Sequence, residues 1–194
     1  MKRALLIIGL QNYSFPGGLM PAQGSEEIEG RILTAIGRAR AAGDRIILMR
    51  HVSRNLTGQL PADGWNAALR VPVLEAAGDA LVVDKHSADG FHDSELAAHL
   101  EGVEDLLICG MMSQNSVLFT AMSKHAAAYR VSVVGDLCAA PKSYIHRLAL
   151  KTLEGVVSVR NADDIYPPAE MAPQVMRTAA PGPALGLGLA APQP

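Results

Sequence analysis

The chain is predicted to fold as a single α/β domain with a mainly parallel sheet and helices on both faces, in three layers. Three observations indicate this class. Short, continuous apolar runs recur along the chain, as expected for strands that are buried on both faces. Segments with helical spacing alternate with these runs, which favours right-handed crossovers between parallel strands. The 194 residues suffice for one full core but not for two ordinary domains.

Six strands are predicted, each from an apolar run. The first two are the clearest, because residues 4–8 and 46–49 are entirely apolar. The predicted strands are residues 4–8, 45–49, 80–83, 105–109, 129–134 and 156–160.

Four helices are predicted between these strands, at residues 25–42, 94–100, 115–128 and 142–153. The first begins at Ser25, a plausible N-cap, and carries Glu26 and Glu27 in its first turn. Its aliphatic residues repeat at helical spacing, and Gly43 supplies its end.

Two segments lack such periodicity. The connection 52–73 contains the only tryptophan, Trp65, and is interpreted either as a loop that covers a pocket or as a surface segment anchored by that side chain. After Ile165 the composition shifts to proline, alanine and glycine, and such a tail is not expected to fold alone. The predicted division is therefore a domain over 1–165 and a tail over 166–194.

Composition argues against several classes of partner. The net charge of −2 provides no basic excess for nucleic acid, and no apolar run reaches the roughly 18 residues of a membrane span. The chain is therefore expected to be cytoplasmic. Cys109 and Cys138 follow apolar segments without partners at metal-ligand spacing, so both are expected to be small buried residues.

Ligands of parallel α/β sheets bind beyond the carboxyl ends of the strands. That rule directs attention to the polar segments that follow the predicted strands. They are residues 9–12, 51–55, 85–91 and 110–116.

Three segments in this order resemble the signatures of the isochorismatase-like (cysteine) hydrolases. They are Ala4-Leu5-Leu6-Ile7-Ile8-Gly9-Leu10-Gln11-Asn12, Val83-Asp84-Lys85-His86 and Gly110-Met111-Met112-Ser113-Gln114-Asn115-Ser116-Val117. Three segments in the right order are far more specific than any one alone. The resemblance covers roughly residues 3–165 and implies a Rossmann-like three-layer fold.

The resemblance also implies a catalytic triad that is incomplete in this chain. Members of the family normally have an aspartate at Gly9, a lysine at Lys85 and a cysteine at Ser116. In such a triad the aspartate takes the thiol proton and the thiolate attacks a carbonyl or nitrile-like carbon. Serine is a weak nucleophile without an adjacent base, and Gly9 removes the base that the family places there.

Other residues of the strand ends complete the predicted site. Replacement acids or bases are sought among His51, His86, Asp89 and His92. Met111, Met112, Gln11, His86 and Phe91 are predicted to contact the ligand. The resemblance implies a cis peptide between Met111 and Met112, and Ser116 is expected at a helix start where free N–H groups favour an anionic oxygen. Gly9 is expected to leave a space beside Lys85, whose ammonium then needs other acceptors.

Neither a cofactor nor a metal ion is predicted. The sequence has no glycine-rich phosphate loop, no Rossmann fingerprint and no CxxC motif, and His51 has no nearby carboxylate. The expected partners are a small-molecule ligand or substrate and further copies of the chain.

Three functions therefore compete. The first is a pseudoenzyme that keeps a small-molecule pocket or interaction surface. The second is an active hydrolase of altered chemistry, which acts on a small amide, nitrile or vinyl ether through Ser116 or a pocket histidine beside Lys85. The third is a purely structural or oligomeric role, in which Lys85 is only the remnant of an ion pair.

Overall fold

A single six-stranded sheet forms the centre of the computed structural model, which describes residues 2–54 and 59–168. All neighbouring strands run parallel. The strands are β1 (Arg3–Ile8), β2 (Arg45–His51), β3 (Leu81–Lys85), β4 (Asp105–Met111), β5 (Arg130–Ala139) and β6 (Ser158–Arg160). The α/β class and all six predicted strands are confirmed, with ends that differ by a few residues.

The strand order β3-β2-β1-β4-β5-β6 fixes where a site can form. The chain builds outward from β1 to β3, returns to the centre at β4 and then builds outward on the other side. Right-handed crossovers in two opposite directions place helices on both faces of the sheet. The order reverses between β1 and β4, so the crevice of the fold lies at the carboxyl ends of these two strands.

The helices agree less closely with the sequence patterns. They are α1 (Ser25–Ala41), α2 (Val71–Ala77), α3 (Leu96–His99), α4 (Leu118–Ala121), α5 (Ser143–Leu153) and α6 (Ala162–Ile165). The long connection was not predicted to contain α2, which has a proline at its start, where the missing N–H is harmless.

The predicted helix over residues 115–128 is wrong. The chain instead forms a π-helical turn at Ser113–Val117, the single turn α4, and a 3₁₀ turn at Ala126–Ala128. Ser123 lies at the break, where its N–H binds Thr120 O and its hydroxyl accepts the N–H of His125. Serine side chains compete in this way with helical hydrogen bonds.

The core is built mainly from the central strands. Residues 4–8 of β1 and 106–111 of β4 are buried throughout, and both free cysteines are buried as predicted. Trp65 is 57% exposed, so it does not anchor its segment in the core, although Val52, Leu60 and Ala67 form a small separate cluster. None of the helices in the described ranges has the length and apolarity to cross a bilayer.

Packing continues to the end of the described chain. Tyr166 is buried and its hydroxyl donates to Asp44 Oδ2 at 2.6 Å, so the packed unit includes this first residue of the predicted tail. The rest of that tail, from residue 169 onward, lies outside the described residues.

We predict that Gly110→Ala destabilises the protein by at least about 2 kcal/mol. Gly110 has φ +114°, and a Cβ there would lie 2.0 Å from the carbonyl oxygen of Ile8 in β1. Gly30→Ala is the matched control, because the exposed α1 position has nothing within 4 Å of the added methyl group. It should stabilise the helix by about 0.5–1 kcal/mol. Urea unfolding measures both, and a Gly110→Ala variant as stable as the parent would refute the close approach of β1 and β4.

Candidate active site

Gly9, Lys85 and Ser116 all lie at the carboxyl ends of the strands. Gly9 directly follows β1, Lys85 is the last residue of β3, and Ser116 lies in the π-helical turn that follows β4. The loop after β3 also reaches α4, since Gly90 N–H donates to Thr120 Oγ1 at 2.8 Å. Thr120 lies one turn beyond Ser116 on the same helical face. The three positions are therefore brought to one edge of the sheet.

The backbone at Gly9 excludes a side chain. Its φ is +69°, its N–H donates to Met49 O at 2.9 Å, and a Cβ would lie 2.2 Å from the carbonyl oxygen of Met111. The expected empty space at this position is therefore wrong, because the Met111 carbonyl occupies it. An aspartate fits here only if β1 or the turn after β4 moves.

Lys85 is a fully buried cation. Its Nζ donates to Ser87 O at 2.5 Å, lies 3.5 Å from Ala88 O and lies 3.2 Å from His51 Nδ1. The expectation that other acceptors contact the Lys85 ammonium is confirmed, and these acceptors are main-chain carbonyls and an imidazole nitrogen. Burial lowers the pKa of Lys85 to about 8, although the negative charge of Asp89 opposes this shift. No carboxylate in the described ranges lies within 4.0 Å of Nζ.

His51 is held on its main chain by Gln11. The Gln11 amide is completely buried, donates to His51 O and Ala67 O at 2.8 Å each, and accepts the N–H of His51 at 2.7 Å. Burial first, and then the positive charges of Lys85 and His86, lower the pKa of His51 to about 4. His51 is therefore a neutral imidazole at neutral pH. Because the Lys85 ammonium can only donate, Nδ1 accepts and Nε2 carries the proton.

The turn that carries Ser116 is compact. The peptide between Met111 and Met112 is cis, as the resemblance implies. The N–H groups of Asn115 and Val117 both bind Met112 O, at 3.0 and 3.3 Å. These two donors are therefore already used within the turn, contrary to the expectation of free N–H groups around Ser116. Ser116 itself is buried, and its hydroxyl takes part in none of the hydrogen bonds of Lys85 or His51 described above.

Most predicted ligand contacts serve packing in this conformation. Met111, Met112 and Phe91 belong to the hydrophobic core, and Phe91 also stacks between the rings of His125 and Tyr129. Both ends of the Gln11 amide bind main chain, as described above. Their roles in ligand binding remain predictions.

In the described ranges, the side chains of the other acid/base candidates form no hydrogen bond with those of Ser116 and Lys85. His86 Nδ1 binds Val52 O at 3.0 Å, and Asp89 Oδ1 accepts the Phe91 N–H at 2.9 Å. His92 is exposed. Among these acid/base candidates, only the His51 side chain forms a hydrogen bond with Lys85 in the described ranges.

One polar pair was missed by the sequence analysis. The hydroxyl of Ser113, which is fully buried, lies 2.8 Å from His146 Nδ1, and burial lowers the pKa of His146. His146 also lines a cavity of about 330 Å³ between α1, the end of β5 and the start of α5. The serine lies within a segment that the sequence singled out, but nothing in the spacing of α5 indicated that His146 would face it.

The described residues contain no group of three or more histidine, cysteine, aspartate or glutamate side chains that could hold a metal ion. Among the described residues, Gln114 Oε1 is the one buried side-chain oxygen or nitrogen atom that has no hydrogen-bond partner.

Comparison with known proteins gives concordant matches. A family model described as the isochorismatase domain matches residues 3–164. The isochorismatase family protein YddQ of Bacillus subtilis (strain 168) is 27% identical over 179 residues, which cover 86% of this chain and 99% of the relative. Streptothricin hydrolase of Streptomyces noursei is 30% identical over 137 residues, 69% of this chain and 48% of that enzyme, so the match spans about half its length.

Solved structures share the fold. An isochorismatase-like hydrolase from Alkaliphilus metalliredigens superposes with a TM-score of 0.75 at 22% identity, covering 84% of this chain and 96% of the other. Pyrazinamidase of Pyrococcus horikoshii, solved in complex with zinc, superposes with a TM-score of 0.72 at 20% identity. The match covers 83% of this chain and 99% of the other.

We predict that the protein gains stability relative to a Lys85→Met variant as the pH rises from about 8 to 10.5. The pKa of Lys85 is about 8 in the folded protein and 10.5 in an ordinary setting, so the unfolded chain binds the proton more tightly. Stability then rises with pH across that window, by on the order of 3 kcal/mol. Urea unfolding of both proteins across the window measures the difference. A constant difference would mean that Lys85 is not a desolvated cation.

Proposed function

The chain belongs to the isochorismatase domain family, and on that premise we propose that it binds a small molecule without performing the family's Asp/Lys/Cys amide hydrolysis. The observation that carries this proposal is the backbone of Gly9. Its positive φ and the Met111 carbonyl leave no room for a carboxylate beside Lys85. A hydrolase of this kind needs a base that takes the proton of its nucleophile, and the position that supplies it is closed.

The hydrogen bonds of Lys85 support the same proposal. Its ammonium faces two main-chain carbonyls and the lone pair of His51 Nδ1, so all three of its protons have acceptors. A hydroxyl such as that of Ser116 requires an adjacent base to become a nucleophile. His51 Nδ1 is already engaged by the lysine, and His86 Nδ1 lies against Val52 O.

The choice of a small-molecule ligand rests on the relatives and on the fold. Streptothricin hydrolase and pyrazinamidase are named for small substrates, and both resemble this chain. In this chain the predicted site residues lie at the carboxyl ends of β1 to β4. Because the position of the catalytic base is closed, binding without hydrolysis is the function that we assign to this crevice.

An active hydrolase of altered chemistry is the second candidate, and His51 favours it. Its imidazole is neutral at neutral pH and lies at the strand end beside Lys85, so it could take a proton through Nδ1 if the lysine turned away. The substrate would then be a small amide, nitrile or vinyl ether. The purely structural role has less support, because a fully buried ammonium without a carboxylate partner does not stabilise the fold by itself.

We predict that the parent protein releases no more ammonia from nicotinamide or benzamide than its Ser116→Ala variant. Without a base at residue 9, the hydroxyl of Ser116 stays protonated and contributes no rate enhancement. A coupled ammonia assay over several hours gives the comparison for the amides, and chromatography of the products follows the hydrolysis of a nitrile and a vinyl ether alongside. Turnover by the parent that disappears in Ser116→Ala would contradict the proposal. Turnover lost only in His51→Ala or Lys85→Ala would establish the second candidate.

Restoring the family residues should also fail. Gly9→Asp places a side chain against the Met111 carbonyl, so Gly9→Asp with Ser116→Cys should lower stability and give little or no ammonia release. Ser116→Cys alone is the matched control, because it adds the thiol without disturbing β1. Strong amidase activity in the double variant with unchanged stability would show that the backbone of residue 9 yields readily.

We also propose that the protein works as a homo-oligomer in the cytoplasm. Phe119 and Met122 of the α4 region and Tyr144 and Leu148 of α5 expose 45–67% of their surface, and α4 contacts α5. Exposed apolar side chains on adjoining elements are typical of surfaces that another chain covers.

We predict that light scattering after gel filtration gives a molar mass of at least twice the 20.5 kDa of one chain. Leu148→Glu should shift this mass toward that of the monomer. A monomeric parent at micromolar concentration would rule this out.

A further inference from the structure

We propose that the ligand of this site is an anion, most simply a small carboxylate, and that Lys85 and His51 recognise its charge together. The inference rests on the proposed function only in assuming that the crevice binds a ligand. It concerns the chemistry of that ligand, which neither the family match nor the relatives assign.

The first step is the charge of Lys85. Its side chain is fully buried, and no carboxylate of the described chain lies within 4.0 Å of its Nζ. A buried cation without a counter-ion is unfavourable, because carbonyl dipoles replace only part of the lost hydration. The site therefore carries a positive charge that no described carboxylate contacts directly.

The neighbouring carboxylates are committed elsewhere. Asp89 is the one that acts on Lys85 electrostatically, but its Oδ1 accepts the N–H of Phe91 in its own turn. Asp84 precedes Lys85 and is held by two hydrogen bonds from Arg50, each 2.7 Å long. Neither group can move to the ammonium without breaking these contacts.

The second step is the tautomer of His51. Because Lys85 donates to Nδ1 at 3.2 Å, the proton of the neutral ring sits on Nε2, on the other side of the ring. The imidazole ring thus connects the buried ammonium, which is bound at Nδ1, to the N–H donor at Nε2, which faces away from the ammonium. An acceptor bound at Nε2 feels both the hydrogen bond and the charge behind it.

The third step is the rigidity of this donor. Gln11 fixes the main chain of His51 through both its N–H and its C=O, and the same amide binds Ala67. The main chain that carries the imidazole is therefore held before the ligand arrives, and the hydrogen bond from Lys85 to Nδ1 orients the ring, so little conformational entropy is lost on binding. A buried glutamine that makes two hydrogen bonds to one histidine is readily explained if that histidine makes a directional contact.

These steps predict a preference for carboxylates over amides of the same shape. A carboxylate supplies the missing negative charge and accepts a charge-assisted hydrogen bond, whereas an amide only accepts a neutral one. The expected difference in affinity is about tenfold or more at neutral pH.

Isothermal titration calorimetry tests this with two matched pairs of probes, acetate against acetamide and benzoate against benzamide, at constant ionic strength. We expect each carboxylate to bind at least about tenfold more tightly than its amide near pH 7. The preference should shrink near pH 10, because Lys85 loses its proton as the pH passes its pKa of about 8. The other titratable groups around Lys85 are His51, His86 and Asp89.

Two variants separate this pair from general surface charge. Lys85→Met should abolish the preference, whereas Lys2→Met removes an exposed lysine that precedes β1, at the opposite end of the strands, and should leave it intact. His51→Phe keeps the ammonium but removes the donor, and it should lower carboxylate affinity without raising amide affinity. Circular dichroism melts establish folding, and if Lys85→Met fails to fold, the pH dependence of the parent decides.

The inference is overturned if neither carboxylate binds, if amides bind as tightly, or if folded Lys85→Met keeps the preference. Release of ammonia from acetamide or benzamide in the same samples would contradict the proposed loss of hydrolysis and leave the charge preference standing. Failure of either proposal is therefore distinguishable from failure of the other.

Discussion

The close approach of β1 and β4 at their carboxyl ends is the constraint on which the rest of the site depends. A Cβ on Gly110 would meet Ile8 O, and one on Gly9 would meet Met111 O. Because the strand order reverses between these two strands, this is also where the fold opens its crevice. The position best placed to present a catalytic side chain is therefore filled by main chain. Whatever chemistry the crevice has must come from β2, β3 and the turn after β4.

What remains is a short chain of polar contacts that begins in the core. Gln11 is fully buried and binds the main chain of His51, and His51 in turn accepts a hydrogen bond from Lys85. The Gln11 amide fixes the main chain of His51, and the Lys85 ammonium selects the tautomer of its imidazole. Burial lowers the pKa of both ionisable groups, and the charge of Lys85 lowers the pKa of His51 further, which leaves one neutral ring and one weakly held charge. Polar networks of this kind are tolerated in a core only when each member is satisfied.

The sequence predicted the fold well because the fold depends on patterns that one chain carries locally. Apolar runs located six strands, and their alternation with helices implied the parallel sheet, so the convergence of Gly9, Lys85 and Ser116 followed from topology alone. Conformations that depend on tertiary contacts could not be predicted from the sequence. The space expected at Gly9 is closed by a carbonyl 102 residues away in the chain, and the helix expected after Ser116 ends where Ser123 bonds its own backbone. His146 meets Ser113 only because α5 packs on the turn after β4.

The proposed absence of both the acid and the thiol would have a joint electrostatic consequence. A triad with aspartate, lysine and cysteine can distribute one negative charge over two positions around the lysine. This chain has Gly9 and Ser116 at those positions and a buried Lys85, and on our proposal the crevice is therefore a cationic site. A buried charge without a carboxylate partner is hard to explain by stability, because an apolar side chain of similar volume would pack there at least as well. A ligand that supplies the missing charge gives Lys85 a physical reason to remain, and it does so without requiring any bond to be broken.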